Sequence, residues 1–206
     1  MAAENKQVHR KLLRLITQST RTACEAQACS IQRLDTARQE FIFEAVAGQG
    51  EDVLLGRRYS CEQGIAGWSV MSRQPIVVDD VERHNLFARG FAESTGYVPR
   101  SVITFPLATD NSSLGVMQVL DCALDPACGL EQLEFIEPFA GQATHVLQLI
   151  ERDTTLNGVL DDHAGLRELV ALATTFTTLS EAKWQAVLQL VTLVSELLIG
   201  ADEDDT

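Results

Sequence analysis

Apolar residues along this chain switch several times between helical and strand spacing, and the switches mark its elements. From Val8 the positions Val8, Leu12, Leu15, Ile16 and Ala23 recur at helical intervals, which predicts an opening helix of about five turns with its basic residues on the other side. After Ala28 the period changes. CSIQRLD and EFIFEAVA read as two short strands joined by a turn at Asp35 to Gln39, with Phe41, Phe43 and Ala45 facing one way and Ile42, Glu44 and Val46 the other. GQGEDVLLG is a Gly-bounded loop. GIAGWSVMSR reads as a short helix whose small residues let it lie close to a neighbouring backbone.

PIVVDD is the next strand, and the mixed segment from Val81 to Pro99, with Gly90 and Gly96, reads as a short helix inside a long connection. Connections of that length within a compact domain usually carry function. RSVITFPLA and SLGVMQVLD follow as two alternating strands, with DNSS between them as a hairpin turn. From Gly129 to Arg152 a long amphipathic helix sets Leu133, Ile136, Phe139, Ala140, Ala143 and Leu147 on one side. This order predicts an α/β (α+β) sandwich, an antiparallel sheet with helices packed on it.

Asp153 to His163 is polar with one Gly and reads as a break. Beyond it, apolar positions from Leu166 to Leu198 mark one or two further helices, with Ser180 as a helix start and more apolar surface than a single contact needs. The organisation expected is therefore an N-terminal packing or dimerisation helix (1–28), a domain (29–152), a C-terminal helical extension (153–200) and an acidic tail (201–206).

Composition adds exclusions. With 206 residues, 46% hydrophobic and 22% charged, the chain has the balance of a folded globular protein. A net charge of −13 argues against an electrostatic grip on nucleic acid or an anionic membrane. The charge is uneven: residues 1–38 carry seven basic and three acidic side chains, while 39–150 carry six and fifteen. No apolar run follows the N-terminal charges, and the most apolar stretch, Ala186 to Ile199, is too short to span a bilayer. Five cysteines (Cys24, Cys29, Cys61, Cys122, Cys128) form an odd set without CxxC spacing, which fits reduced thiols and a cytoplasmic location.

YSCEQGIAGWSVMSRQPIVVDD, then HNLFARGFAESTGYVPRSVITFPL, then LGVMQVLD together resemble a GAF domain, most closely the GAF domains beside cyclic-nucleotide phosphodiesterases and bacterial cyclases. The resemblance spans roughly residues 10–150. It implies a six-stranded antiparallel sheet with helices on both faces, and a pocket between one sheet face and the segment Ile76 to Pro99. Ligands of such pockets are small: cyclic nucleotides, tetrapyrroles, nitrate, amino-acid-like metabolites. By position, Ile65 and Ala66 of QGIAG, Thr95 of STGY and Gln118 of the last strand match pocket residues of the nucleotide-binding members, and Phe87 and Phe91 would add apolar walls or a stacking face. The chain also departs from those members. Asp121-Cys122 and Leu133-Glu134 replace an Asn-Lys and an Asp-Glu pair, Ala47 falls where an acidic residue would read a purine, and Pro99 replaces a phosphate-binding Thr. The ligand or cofactor is left unnamed.

Other chemistry is discounted on residue pattern. A GAF-type free methionine sulfoxide reductase would carry a Cys inside the GxxG helix, where this chain has GIAG; Cys61 and Cys122 are the remaining redox candidates. His84, at the mouth of the connection, is the one histidine placed to ligate haem or metal, and the four histidines share no ligand spacing. Asp79 and Asp80 read as caps of the helix that follows, because adjacent strand residues face opposite sides. Trp68 and Trp184 read as core or interface. No catalytic residue and no metal site is assigned. The function expected is a small-molecule sensor in signal transduction. Ligand binding would order Asp79 to Pro99 and alter flanking dimerisation helices, acting on a protein partner. The alternative is a degenerate domain serving as an interaction scaffold.

Overall fold

The structure, a computed structural model, describes residues 2–62, 64–123 and 129–162. The chain divides into two compact units, Met1–Thr154 and Thr155–Thr206. The helices expected between Leu166 and Leu198, Trp184 and the acidic tail lie outside the described residues.

Helix α1 (Ala2–Ala23) leads into strands β1 (Ala28–Asp35) and β2 (Glu40–Gly48), a one-turn helix α2 (Glu51–Leu54) and a short strand β3 (Arg58–Ser60). Helix α3 (Gly64–Ser72), strand β4 (Ile76–Val78), a 3-10 turn at Val81–Arg83 and helix α4 (Arg89–Ser94) come next. Strands β5 (Val102–Ala108) and β6 (Ser113–Leu120) and the long helix α5 (Gly129–Asp162) complete the described chain. The six strands form one antiparallel sheet in the order β3-β2-β1-β6-β5-β4. The hairpin between β5 and β6 closes where DNSS predicts it: the Thr109 amide donates to the Ser112 carbonyl at 2.8 Å and the Ser112 amide to Thr109 Oγ1 at 3.1 Å.

Strand alternation sorts the side chains between the two faces. Cys29, Ile31, Met117, Val119, Ile103 and Phe105 turn to one face, where Leu13 and Ile16 of α1 and Ile136, Ala140, Ala143 and Leu147 of α5 cover them. The other face carries Ala28, Ser30 and Gln32 of β1 beside Gln118 and Leu120 of β6, and lies under α3 and α4.

Two packing expectations are corrected. A bulge in β2 pairs Ile31 with Ala45 but Gln32 with Phe43, so Glu44 is the extra residue and gives its carboxylate to Arg33 Nε at 2.8 Å. The extra residue reverses the parity downstream. Val46 therefore joins Phe43 in one cluster with Leu54, while Ala45 packs into the core beneath α1. On α1, Val8 (51%), Leu12 (39%) and Leu15 (51%) are exposed, and the face turned inward is His9, Leu13, Ile16, Thr17, Thr20 and Cys24. Threonines can be buried there because their hydroxyls bond back along the helix: Thr17 Oγ1 to the Arg14 carbonyl at 2.9 Å and Thr20 Oγ1 to the Ile16 carbonyl at 2.8 Å.

Two further differences concern elements. The Gly-bounded loop contains α2 and is followed by β3, a three-residue strand whose Tyr59 pairs with Phe41. Helix α5 also runs on to Asp162, through the polar stretch read as a break, since a lone Gly158 costs a helix only about 1 kcal/mol.

The GIAG motif owes its second glycine to packing. A Cβ on Gly67 would stand 2.1 Å from the Cys61 carbonyl oxygen, so α3 crosses the β3–α3 loop at backbone contact. Gly67→Ala is expected to cost about 1–3 kcal/mol and lower the melting temperature by roughly 2–10 °C, read by circular dichroism. An unchanged midpoint would mean that the close crossing is not required.

Candidate functional site

Between the sheet and α3, α4 and the stretch leading to Pro99 lies a hollow of ≈ 110 Å³. Ile65, Ala66, Phe87, Phe91, Thr95 and Gln118, the six residues singled out from the sequence, all line it. So does Pro99. Ala47, which pairs with Cys29 in the sheet, turns to the other face and does not.

The floor is a polar row set in an apolar field. Ser30, Gln118 and Thr104 stand opposite one another on β1, β6 and β5. Gln32, fully buried two residues along, links the row: its Nε2 donates to Ser30 Oγ at 3.0 Å and to Gln118 Oε1 at 2.8 Å, and Gln118 Nε2 donates to Thr104 Oγ1 at 3.3 Å. The Tyr59 hydroxyl completes the chain by donating to Gln32 Oε1. Burial pushes the Tyr59 phenol well above its ordinary range, so it stays a donor. No buried side-chain polar atom among the described residues lacks a partner. Four strands are thus joined by one amide-centred network, which fixes the orientation of Gln118 in the floor.

The walls are apolar. Ile65 and Ala66 are buried at the start of α3, and Ile65 packs with Val78, Val81, Val102 and Phe87. At the far end Phe91 of α4 forms a wall of the hollow. Its ring stacks on Phe43 at 6.1 Å and 6°, meets Tyr59 at 4.6 Å, and carries the Arg57 guanidinium 4.9 Å from its centroid. Arg57 also donates to Ser94 Oγ at 2.8 Å. Phe91 therefore lines one end of the hollow while packing on the protein's own rings; the sequence predicts it as an apolar wall or a stacking face. Thr95 likewise works within the segment, donating to the Ala92 carbonyl at 2.7 Å.

Helix α4 buries no residue completely, and its covering stretch is fastened at its C-terminal end. Asp121, in the left-handed region at φ 50°, accepts the backbone amides of Arg100 and Ser101 at 2.8 Å each and the Tyr97 hydroxyl. Burial first, then this bond, raises the Tyr97 phenol above its usual range. Directly after Asp121, the Cys122 thiol and the Ala123 amide both donate to the Cys24 carbonyl at the end of α1, at 3.4 and 3.2 Å. The cover and α1 are thus joined through three consecutive residues.

The other candidates lie elsewhere. Cys61 packs with Phe41 and Val70 beside α3, whereas Cys122 packs on the α1/α5 core, so the two redox candidates are not brought together. Burial raises the Cys61 thiol and holds Cys29 up at about 12, and Cys24 is raised by its hydrogen bond with Cys122 and by burial. His84 Nδ1 accepts the Leu86 amide at 3.3 Å. Asp79 is exposed, and Asp80 makes no cap bond but pairs with Arg83 at 3.2 Å, a correction to the capping expected of both. The 3-10 turn is too short to need a side-chain cap. Trp68 is half exposed, on the outer side of α3.

The chain is thus an α+β sandwich with a largely apolar hollow between one sheet face and α4. The GAF domain family matches residues 9–147, and the chain belongs to it. Solved structures agree on the fold. The GAF domain of a phosphoenolpyruvate-protein phosphotransferase from Coxiella burnetii superposes with a TM-score of 0.61 at 17% identity, covering 76% of this chain and 94% of that one. The second GAF domain of DevS from Mycobacterium smegmatis gives 0.55 at 20% identity, covering 72% and 99%. A type II free methionine-R-sulfoxide reductase from Thermoplasma acidophilum gives 0.56 at 14% identity, covering 69% and 94%. The resemblance to phosphodiesterase-associated domains rests on the sequence motifs. Among the described residues no helix is long and apolar enough to cross a membrane.

Proposed function

We propose that this chain is a small-molecule sensor in signal transduction, in which a ligand held between the sheet and α4 sets the state of the flanking helices. The observation that carries the reading is the hollow itself, lined by all six motif-derived residues beneath a cover with few buried contacts. Coupling has a physical route. A ligand that pulls α4 inward tensions the Tyr97–Asp121 contact, and Asp121 is continuous with the residues that hold the end of α1. The ligand shifts this equilibrium only by its differential affinity for the two positions of the cover. The exposed Val8, Leu12 and Leu15 stripe of α1 suits a homodimer seam through which the change is passed on.

A second reading, an interaction scaffold, draws on the exposed Trp68 (50%), Met71 (72%) and Leu86 (39%) around a shallow groove beside α3. Native mass spectrometry of freshly purified protein separates the two. The sensor reading expects a co-purifying small mass that Phe91→Ala loses, with faster amide exchange over residues 84–99 in the variant. Bare chains in both samples, with equal exchange, would leave the scaffold.

A further inference from the structure

The residues around the hollow carry no formal charge: Ser30, Gln49, Tyr59, Thr95, Tyr97 and Gln118 are its polar side chains, and the rest are apolar or glycine. The nearby charges are engaged outside it. Arg57 lies over the Phe91 ring and on Ser94, Arg89 pairs with Glu82 at 3.1 Å, and Asp121 is occupied by Tyr97 and two backbone amides.

The polar groups present differ in what they have left to give. The Thr95 hydroxyl donates to main-chain carbonyls of its own segment, the Tyr59 hydroxyl to Gln32 and the Tyr97 hydroxyl to Asp121. Gln49 is exposed and its side-chain amide makes no hydrogen bond among the described residues; in the floor itself two further donors remain uncommitted to protein acceptors. The Ser30 hydroxyl accepts from Gln32 but makes no bond with its own proton, and Gln118 Nε2 spends one N–H on Thr104 and keeps the other. Ser30 and Gln118 are direct cross-strand neighbours, so these donors stand side by side in the floor.

From this we infer that the ligand of the hollow is a neutral, largely apolar molecule carrying a hydrogen-bond acceptor, such as an amide or ketone oxygen, that meets Ser30 and Gln118. The inference rests on the sensor reading and specifies its ligand class. Magnitudes decide against an ion. Taking a carboxylate, phosphate or ammonium into such a chamber costs several kcal/mol without a charged partner. The N-terminal amides of α3, at Gly64 to Ala66, return to an anion only a part of that cost. A neutral acceptor takes the same two donors without that penalty. The volume of ≈ 110 Å³, against the roughly 150 Å³ of an apolar cavity that takes up benzene, suits an occupant of about one ring. The Phe43, Tyr59, Phe87 and Phe91 rings around it suit a flat occupant.

The test uses three probes of one shape and different charge, benzamide, benzoate and benzamidinium, with 3′,5′-cyclic AMP as a fourth. Each is titrated into the full chain labelled with nitrogen-15, and the Gln118 side-chain amide is followed by NMR. Benzamide is expected to shift that resonance and to bind at least tenfold more tightly than benzoate or benzamidinium. Gln118→Leu, which keeps the volume but removes the donor, is expected to weaken benzamide at least fivefold while its spectrum remains that of a folded chain; an unchanged affinity would overturn the assigned anchor. If cyclic AMP or benzoate occupies the hollow as tightly as benzamide, the ligand class is wrong and the sensor reading stands. If none of the four shifts residues of the hollow, both fail. Should Gln118→Leu not fold, Ser30→Ala supplies the same measurement.

Discussion

Replacing Gln32 with alanine is expected to lower the melting temperature by roughly 5–15 °C, the largest single loss anticipated from a polar position. Gln32 is completely buried and serves three partners: its amide nitrogen reaches Ser30 and Gln118, and its oxygen receives the Tyr59 hydroxyl. Truncation leaves the Tyr59 proton and Gln118 Oε1 without partners where water does not freely replace them. At about 1–3 kcal/mol for each orphaned group, the sum is roughly 2–6 kcal/mol before the vacated volume is counted. Tyr59→Phe orphans only Gln32 Oε1 and should cost about 1–3 kcal/mol, half the loss expected of Gln32→Ala. Thermal melts of the two variants side by side make the comparison. Equal midpoints would show that Gln32 is not the hub of the network.

The second large effect falls on Asp121. Asp121→Ala is expected to cost about 2–4 kcal/mol and to raise amide exchange at Arg100 and Ser101 by at least about tenfold. Three donors lose their acceptor at once, and a residue that tolerates the left-handed region is exchanged for one that does so less well. Asp121→Asn keeps one oxygen and tolerates the same backbone, so it should lie between alanine and the wild type. The informative site is remote: if the cover is coupled to α1, amides around Cys24 should lose protection in the alanine variant as well. Loss confined to residues 97–101 would cut the proposed route and leave Asp121 a local clasp.

The two residues differ in how readily the sequence revealed them. Asp121 is conspicuous in the sequence, standing where the nucleotide-binding members carry an Asn-Lys pair, yet its work as a clasp for Tyr97 and the amides of Arg100 and Ser101 needs separate segments to meet. Gln32 gave no signal, because one glutamine in an alternating strand looks the same whether it faces solvent or closes a network. Tyr59 was hidden for a related reason. Its strand is three residues long, and backbone pairing with β2, rather than any period of its own, makes it a strand.

Sequence by itself determined much of this protein. The alternation of β1, β5 and β6, the helical spacing of α5, and the small residues of GIAG are local consequences of backbone geometry, and they specified the sandwich, whereas the residues lining its hollow followed from the likeness of the motifs to GAF domains. Tertiary structure decided the parity of β2 beyond the Glu44 bulge, the choice of Leu13 and Thr17 over Leu12 and Leu15 as the buried side of α1, and the packing of Phe91 on Phe43, Tyr59 and Arg57. The physical reason is that a period says which side chains share a face, while the partner covering that face is set by contacts between segments far apart in the chain. The absence of charge around the hollow belongs to both: each residue is written in the sequence, and only folding gathered them around one space.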